Sequence, residues 1–212
     1  MSFPSAPHFS VQIVVLFFSI VVHESAHGWM AERCGDNTAR LMGRITLNPL
    51  AHIDPFGTIL FPLLLYFMGL PIIGWAKPVP INPNNFYHPR QDTIKVGIAG
   101  PGSNILVAVT SVVLVWILRF LPLGAFKFSI IHLLMFMVFI NLLLAVFNLL
   151  PVPPLDGSRI VSGMLPPHLA YKYDRLAPYG FIIIIFFFRL FWVVIIYVVI
   201  FLYKIFFWGL GR

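Results

Sequence analysis

Two histidines four residues apart, with a glutamate beside the first, form the pattern in this chain with the clearest chemistry. His23, Glu24 and His27 lie in the sequence His-Glu-Ser-Ala-His. On a helix, residues four apart share one face about a turn apart, so both imidazoles can bind one metal ion. Glu24 is rotated by roughly 100° from His23 and is better placed to take a proton from water than to bind the metal. The pattern predicts a zinc site that activates water.

The surroundings of this motif are apolar. It directly follows residues 11–22, whose sequence is Val-Gln-Ile-Val-Val-Leu-Phe-Phe-Ser-Ile-Val-Val. Ionisable residues at membrane depth are costly and are usually functional. Of the 212 residues, 59% are hydrophobic and 10% charged, against about 25% charged in soluble domains. We therefore expect a protein embedded in the lipid bilayer, whose net charge of +7 orients its loops and does not indicate nucleic acid.

Four apolar runs reach the length of about 20 residues that a bilayer crossing needs. They span residues 9–33, 96–120, 128–150 and 180–208. A shorter run, 56–73, is interrupted by proline and glycine, which favours a re-entrant segment. The first eight residues lack the basic region and cleavage site of a signal peptide, so the first apolar run should remain in the protein as a helix. The sequence predicts an all-α polytopic membrane protein with about four full transmembrane helices, a re-entrant segment and a short β-like membrane loop.

A zinc site normally needs a third protein ligand. Glu32 lies too close to the histidines along the same helix, which leaves the aspartates and the other histidines. Asp156 stands out, because it follows a helix that ends near Asn148 and three prolines that force extended backbone. A turn or capping aspartate before Gly157 is the alternative at this stage.

Three segments of the chain resemble, in order, the motifs of the site-2 protease family of intramembrane zinc metalloproteases. They are His23 to His27, Gly100-Pro101-Gly102-Ser103-Asn104, and Asn148 through Pro151 to Leu155-Asp156-Gly157. Residues 74–83, which contain Gly-Trp-Ala-Lys-Pro-Val-Pro, resemble the short bacterial and archaeal branch without PDZ or CBS domains. The loop at 121–127 has no room for a domain of ~50 residues. Residues 1–212 are therefore expected to form a single membrane-embedded metalloprotease domain.

The resemblance implies His23, His27 and Asp156 as ligands of one Zn²⁺ per chain, Glu24 as general base and Asn148 as donor to the oxyanion. It also implies an intramembrane endopeptidase that hydrolyses peptide bonds in or near transmembrane segments of other membrane proteins. A zinc transporter or metallochaperone is the alternative, although the chain lacks the internal repeats common in transporters. A catalytically inactive scaffold is disfavoured because every catalytic position is filled.

The segment after the re-entrant run alternates prolines with residues that can donate backbone hydrogen bonds. As a strand, it would place the N–H groups of Lys77, Val79 and Ile81 on one edge and the nitrogens of Pro78 and Pro80 on the other. We expect the donor edge to bind unwound substrate by strand addition. A rigid proline loop that only packs is the alternative.

Further polar residues keep two interpretations from sequence alone. Asn104 is assigned to substrate binding, and Asn141 could line a polar cavity or bond a neighbouring helix. His52 and Asp54 could line the substrate entrance, but organising a loop is favoured. Arg189 interrupts an apolar run and should face the bundle or snorkel.

The metal site also predicts the topology, because His27 and Asp156 must reach the same side of the membrane. Three full crossings in all, the runs 9–33, 96–120 and 128–150, satisfy this because two of them separate His27 from Asp156, so residues 56–73 should dip in and return. Lysines and arginines favour the cytoplasm, which predicts a multi-pass bacterial or archaeal cell-membrane protein whose site opens to the cytoplasm. Arg119 and Lys127 would then face outside. The basic residues placed inside are Arg33, Arg40, Arg44, Lys77, Arg90, Lys95, Arg159, Lys172 and Arg175.

Overall fold

The computed structural model describes residues 9–68, 76–122, 124 and 126–207. Short 3₁₀ helices span Pro49–His52, Pro83–Asn85 and Ala177–Tyr179, and a π-helix spans Pro55–Leu60. None of the described residues forms a strand. The α-helices are α1 (Phe9–Arg33), α2 (Thr38–Leu41), α3 (Phe61–Phe67), α4 (Pro89–Phe120), α5 (Phe126–Asn148), α6 (Asp156–Met164), α7 (Pro167–Asp174), α8 (Gly180–Phe186) and α9 (Phe188–Phe206).

Within the described residues, four helices are long and apolar enough to cross a membrane, which confirms the all-α polytopic fold. They are Val11–Arg33, Pro89–Phe120, Phe126–Asn148 and Arg189–Phe206. Helix α4 begins before its apolar run, because a proline at the first position and Asp92 in the first turn favour a helix start. The run expected to be continuous over 180–208 is instead divided at Phe187 into α8 and α9. Residues 181–207 contain no proline or glycine, so the sequence shows no helix-breaking residue at this point.

Helix α4 is the centre of the bundle. It packs against α1, α5 and α6, and α5 packs in turn against α9. The core between α4, α5 and α9 includes Ala108, Val138, Leu142, Ile195 and Val199, each at most 2% exposed. Because α4 contacts both α1 and α6, it brings residues that are far apart in the sequence to one place.

The short apolar run forms the π-helix and α3, together about 20 Å long at 1.5 Å per residue. This is less than the ~30 Å of a bilayer core. The backbone N–H of Lys77 donates to the carbonyl of His52 over 2.9 Å, so the chain leaves and returns at one place. This geometry favours the re-entrant path, although residues 69–75 of the segment lie outside the described residues. Asp54 organises the loop as predicted, accepting from the N–H groups of Phe56 and Gly57.

Residues 76–82, here called the strap, follow this excursion and run beside α1. They have no regular secondary structure and pair with no strand in the described chain. Gly74 and Trp75, the first two residues of the segment that resembles the short bacterial and archaeal branch, lie outside the described residues. Val79, at the middle of the strap, is 6% exposed, so its side chain is anchored in the protein interior.

Candidate metal centre and active site

Three side-chain atoms from two distant parts of the chain converge on one point. His23 Nε2 lies 3.0 Å from Asp156 Oδ2, and His27 Nε2 lies 3.1 Å from the same oxygen. The two Nε2 atoms are 3.1 Å apart. All three side chains are buried. His23 Nε2, His27 Nε2 and Asp156 Oδ2 thus form a triangle. Three ligands about 2.0 Å from a tetrahedral zinc ion lie about 3.3 Å from one another, so this triangle has nearly the size that zinc requires.

The outward ring nitrogens of both histidines are held by oxygen acceptors. His27 Nδ1 donates to the carbonyl of Val96 over 2.8 Å, and His23 Nδ1 donates to Asn104 Oδ1 over 2.6 Å. The amide orientation of Asn104 follows from its nitrogen, which donates to the carbonyl of Ser19. A neutral imidazole that donates from Nδ1 points the lone pair of Nε2 at the triangle, and this is the form that binds a metal ion. Three lone pairs facing one another at 3.0–3.1 Å repel unless a cation lies among them.

Glycine at position 100 keeps space open beside this triangle. A Cβ atom there would lie 2.3 Å from His27 Nε2 and 2.6 Å from His23 Nε2. Any side chain at this position would occupy the space in which the imidazole nitrogens meet. The first glycine of the Gly-Pro-Gly motif in α4 therefore leaves the space beside the two imidazoles free of a side chain.

Asn104 is completely buried and bonds to His23, so in this structure it does not reach the cavity as its assignment to substrate binding would require. Its amide nitrogen also donates to Asn141 Oδ1 over 2.9 Å, and Asn141 donates to Ser19 Oγ over 2.9 Å. Ser19, Asn104 and Asn141 are each 0% exposed. They form an interhelical network that orients His23, and this decides the role left open for Asn141. Ser19 was missed, although it precedes His23 by four residues and shares its helix face.

Asp156 reaches the triangle because of the backbone that precedes it. Helix α5 ends at Asn148, and the proline-rich segment that follows turns the chain into α6, whose first residue is Asp156. A Cβ atom at position 157 would lie 2.3 Å from the carbonyl oxygen of Leu149. Only glycine permits that close approach, which fixes α6 against the end of α5.

A cavity of about 360 Å³ opens beside the triangle. Its walls include Glu24, Asn148 and part of the strap. Asn148 Nδ2 donates to the carbonyl of Leu144 over 2.9 Å, so one of its two N–H groups has a partner within α5. The lining residues are His23, Glu24, His27, Ala76, Pro78, Val79, Ile81, Asn148, Pro154, Asp156 and Arg159.

Arg159 was not predicted as a site residue. It lines the cavity, and its Nη1 lies 3.9 Å from Asp156 Oδ1, the carboxylate oxygen outside the triangle. Its position three residues after Asp156 on α6 was the available sequence signal, because such residues share a helix face.

The strap does not present the free donor edge expected from its sequence. The N–H of Val79 donates to Glu24 Oε2 over 2.9 Å, and that of Lys77 donates to His52. The expectation is wrong for these two donors, because tertiary contacts within the chain already use them. Val79 and Ile81 line the cavity, whereas Lys77 is not among its lining residues.

A helical membrane bundle that joins the two histidines of an HExxH motif to a distant aspartate, with a cavity beside them, has the architecture of a membrane-embedded metalloprotease. A family model described as "Peptidase family M50" matches residues 11–123 and 122–190. The chain belongs to this family, the site-2 protease family, and is an enzyme of the zinc metalloprotease class. Membership disfavours the transporter and scaffold alternatives.

Curated relatives agree with the family match. The chain is 40% identical over 174 residues to "Putative zinc metalloprotease YwhC" of Bacillus subtilis, covering 81% of this chain and 76% of that protein. It is 33% identical to Rip2 of Mycolicibacterium smegmatis over 84% of this chain and 66% of the relative. For Rip2 of Mycobacterium tuberculosis the identity is 32%, over 76% and 58%. The chain thus matches less than two thirds of the length of the Rip2 proteins. The search of solved structures found no match.

Proposed function

We propose that this protein is an intramembrane endopeptidase that binds one Zn²⁺ per chain through His23, His27 and Asp156. The observation that carries the proposal is the convergence of three buried side-chain atoms, two imidazole nitrogens and one carboxylate oxygen, at 3.0–3.1 Å. Both histidine tautomers are set by acceptors on the far side of the rings, which is how zinc-binding imidazoles are usually oriented. Zinc, when bound there, would polarise the scissile carbonyl and make water more acidic.

Glu24 is proposed as the general base. It lines the same cavity as the three ligands but is not part of the triangle. Its Oε2 accepts a hydrogen bond from Val79, which leaves Oε1 to take the proton from the attacking water. The same carboxyl group can then return that proton to the leaving amine, so that one residue serves both halves of the hydrolysis.

Asn148 is proposed to stabilise the negative charge that develops on the scissile carbonyl oxygen. Its side chain lines the cavity, and its bond to Leu144 uses one of two N–H groups. The second N–H is available to an oxyanion. A fixed donor of this kind is worth roughly 3–4 kcal/mol of transition-state stabilisation.

The proposed substrates are membrane proteins cleaved in or near a transmembrane segment. The proposed ligands come from the membrane-spanning α1 and from the start of α6, which follows the membrane-spanning α5, so the cavity lies beside apolar helices. A helical substrate must unwind locally to expose a carbonyl, and the walls formed by Val79 and Ile81 are proposed to contact the unwound segment. We also propose that the protein resides in the cell membrane with the site open to the cytoplasm, which the distribution of basic residues supports.

Zinc content and cleavage, measured on the same preparations, test this assignment. Substitution of His23, His27 or Asp156 by alanine should remove zinc. Glu24→Gln should keep zinc and lower cleavage by about 10²- to 10⁴-fold, because the amide cannot accept the proton. The assay uses the protein in proteoliposomes with a single-span test protein that carries glycine and proline in its span.

Two results would contradict the proposal in different ways. Full zinc in Asp156→Ala would remove Asp156 from the ligand set. Cleavage at the wild-type rate by Glu24→Gln would place the base elsewhere. Comparing the membrane proteome of cells that carry wild-type protein or Glu24→Gln would then identify natural substrates as uncleaved proteins in the variant.

A further inference from the structure

Arg44 is a buried cation outside the metal centre for which the mechanism has no role. It is 6% exposed, and its Nη2 donates to two successive carbonyl oxygens of the strap, that of Lys77 at 2.7 Å and that of Pro78 at 3.3 Å. Its Nε is buried without a hydrogen-bond partner in the described chain. A buried guanidinium that is not fully bonded is a poor way to gain stability. A specific geometric task would account for it better.

Arg44 begins a segment, residues 44–52, that holds the strap from one side and is here called the bracket. His52 is 0% exposed, and its Nε2 donates to the carbonyl of Thr46 over 2.9 Å. The same carbonyl accepts from Ser25 Oγ over 2.7 Å, which ties the bracket to α1 at the residue after Glu24. The backbone carbonyl of His52 accepts a hydrogen bond from the N–H of Lys77. Arg44 and His52 thus fix both backbone groups of Lys77.

The far end of the strap is held separately. The N–H of Asn82 donates to Asp36 Oδ2 over 2.7 Å, and Asp36 is 0% exposed. Val79 therefore lies between two anchored ends. Its side chain packs closely on α1, since a Cβ atom at Gly28 would lie 3.0 Å from Val79 Cγ1.

These contacts place one backbone donor at the catalytic carboxylate. The N–H of Val79 lies 2.9 Å from Glu24 Oε2, and Arg44 holds the carbonyl of Pro78 in the same peptide unit. Because a peptide unit is planar, holding its oxygen also sets the direction of its N–H. Arg44 can therefore control the orientation of Glu24 without touching it.

We propose that Arg44 is a positioning residue for Glu24, acting through the peptide bond between Pro78 and Val79. The inference rests on the proposed role of Glu24 as general base. In this arrangement the bracket and the strap form a fixed support that holds Oε2 of the carboxylate and leaves Oε1 directed at the reacting water. It also assigns His52 to this support and not to the substrate entrance.

The test compares Arg44→Met, Arg44→Lys and the matched control Arg40→Met, for zinc content, KM and kcat in proteoliposomes with the single-span test protein. Arg40 pairs with Glu32 at the surface, so its variant should behave as wild type. Arg44→Met should keep zinc and KM while kcat falls about 10- to 100-fold, because small displacements of a catalytic group have large effects. Arg44→Lys should recover part of kcat, since an ammonium can still donate to one carbonyl.

A double variant isolates the route through the peptide bond. Val79→Pro removes the N–H that Glu24 accepts and should also lower kcat with zinc retained. If Arg44 acts through that N–H, adding Arg44→Met to Val79→Pro should lower kcat no further. Independent, multiplicative losses would overturn the proposed route.

Other outcomes also decide the question. Wild-type kcat in Arg44→Met or in Val79→Pro would overturn the inference. If Arg44→Met is not recovered with zinc, Arg44→Lys and Val79→Pro carry the test, and wild-type kcat in Val79→Pro overturns it. Wild-type activity in Glu24→Gln would refute the general base itself, whereas loss of activity there with wild-type kcat in Arg44→Met refutes only the positioning role.

Discussion

His23 and His27 present their Nε2 atoms to one point because other residues hold the opposite side of each ring. The Val96 carbonyl holds one ring, and Asn104 holds the other, itself fixed by Ser19 and Asn141. Residues of this kind commonly change metal affinity 10- to 100-fold when they are replaced. At the residue scale, the site therefore extends well beyond the HExxH motif and Asp156.

Gly100→Ala is predicted to disrupt the metal site without adding or removing any ligand. Its Cβ atom would lie 2.3 Å from His27 Nε2, so the imidazoles must move apart from the position that zinc requires. We expect zinc affinity to fall roughly 10-fold or more, measured by competition with a chelator in detergent.

Gly102→Ala is the matched control for this prediction, on the same helix. The nearest atom to its added Cβ is Ile98 Cγ2 at 4.0 Å. Alanine favours a helix over glycine by about 1 kcal/mol, so this variant should bind zinc normally. Equal zinc affinity in the two variants would mean that position 100 does not shape the site.

At the scale of the elements, the strap is the least regular part of the site and yet one of its most firmly held parts. Asp36 anchors its end by accepting from the hydroxyl and the N–H of Thr38, from the N–H of Asn82 and from Asn85 Nδ2. Burial raises the pKa of Asp36, but these donors outweigh it and hold the pKa below its usual value. The folded protein therefore favours the carboxylate, and the strap depends on it.

This anchor should weaken in acid. A carboxyl group whose pKa is lowered by folding stabilises the protein above its unfolded pKa of about 3.9, and the stabilisation is lost as the pH falls through the folded value. Asp36→Asn should lower the free energy of unfolding by about 1–3 kcal/mol at pH 7. The difference in thermal midpoint from wild type, measured in detergent, should shrink below about pH 4.

The exposed Asp174 provides the control, since Asp174→Asn changes the same chemical group at the surface. Its midpoint should remain close to that of wild type throughout the pH range. If the deficit of Asp36→Asn stayed constant from pH 7 to pH 3, the charge of Asp36 would not be what holds the strap.

At the scale of the whole molecule, the features readable from sequence are those with local periodicity or fixed spacing. The apolar runs predicted the four long helices, and the spacing of His23 and His27 predicted that they share one helix face. The partners of backbone donors in the strap had no such signal, because they depend on residues distant in the chain. Asn104 was misassigned for the same reason: its sequence neighbours do not show that His23 and Asn141 surround it.

The structure also constrains the path of the chain across the membrane. Asp36 follows α1 and bonds to Asn82 and Asn85, which precede α4. The end of α1 and the start of α4 must therefore lie on the same side. A single crossing by the segment between them is incompatible with these contacts, whereas a re-entrant path is compatible.

Cysteine labelling in intact cells is predicted to place Asn37→Cys and Asn84→Cys in the cytoplasm and Leu121→Cys outside. Cys34 is the only native cysteine and is buried, so Cys34→Ser provides the background. A membrane-impermeant maleimide should label position 121 directly, and positions 37 and 84 only after the membrane is opened. Labels at 37 and 84 on opposite sides would refute the re-entrant path. Labels at 37 and 84 outside, with position 121 inside, would preserve the re-entrant path but reverse the orientation of the protein. That result would show that the basic loops do not lie on the cytoplasmic side as expected.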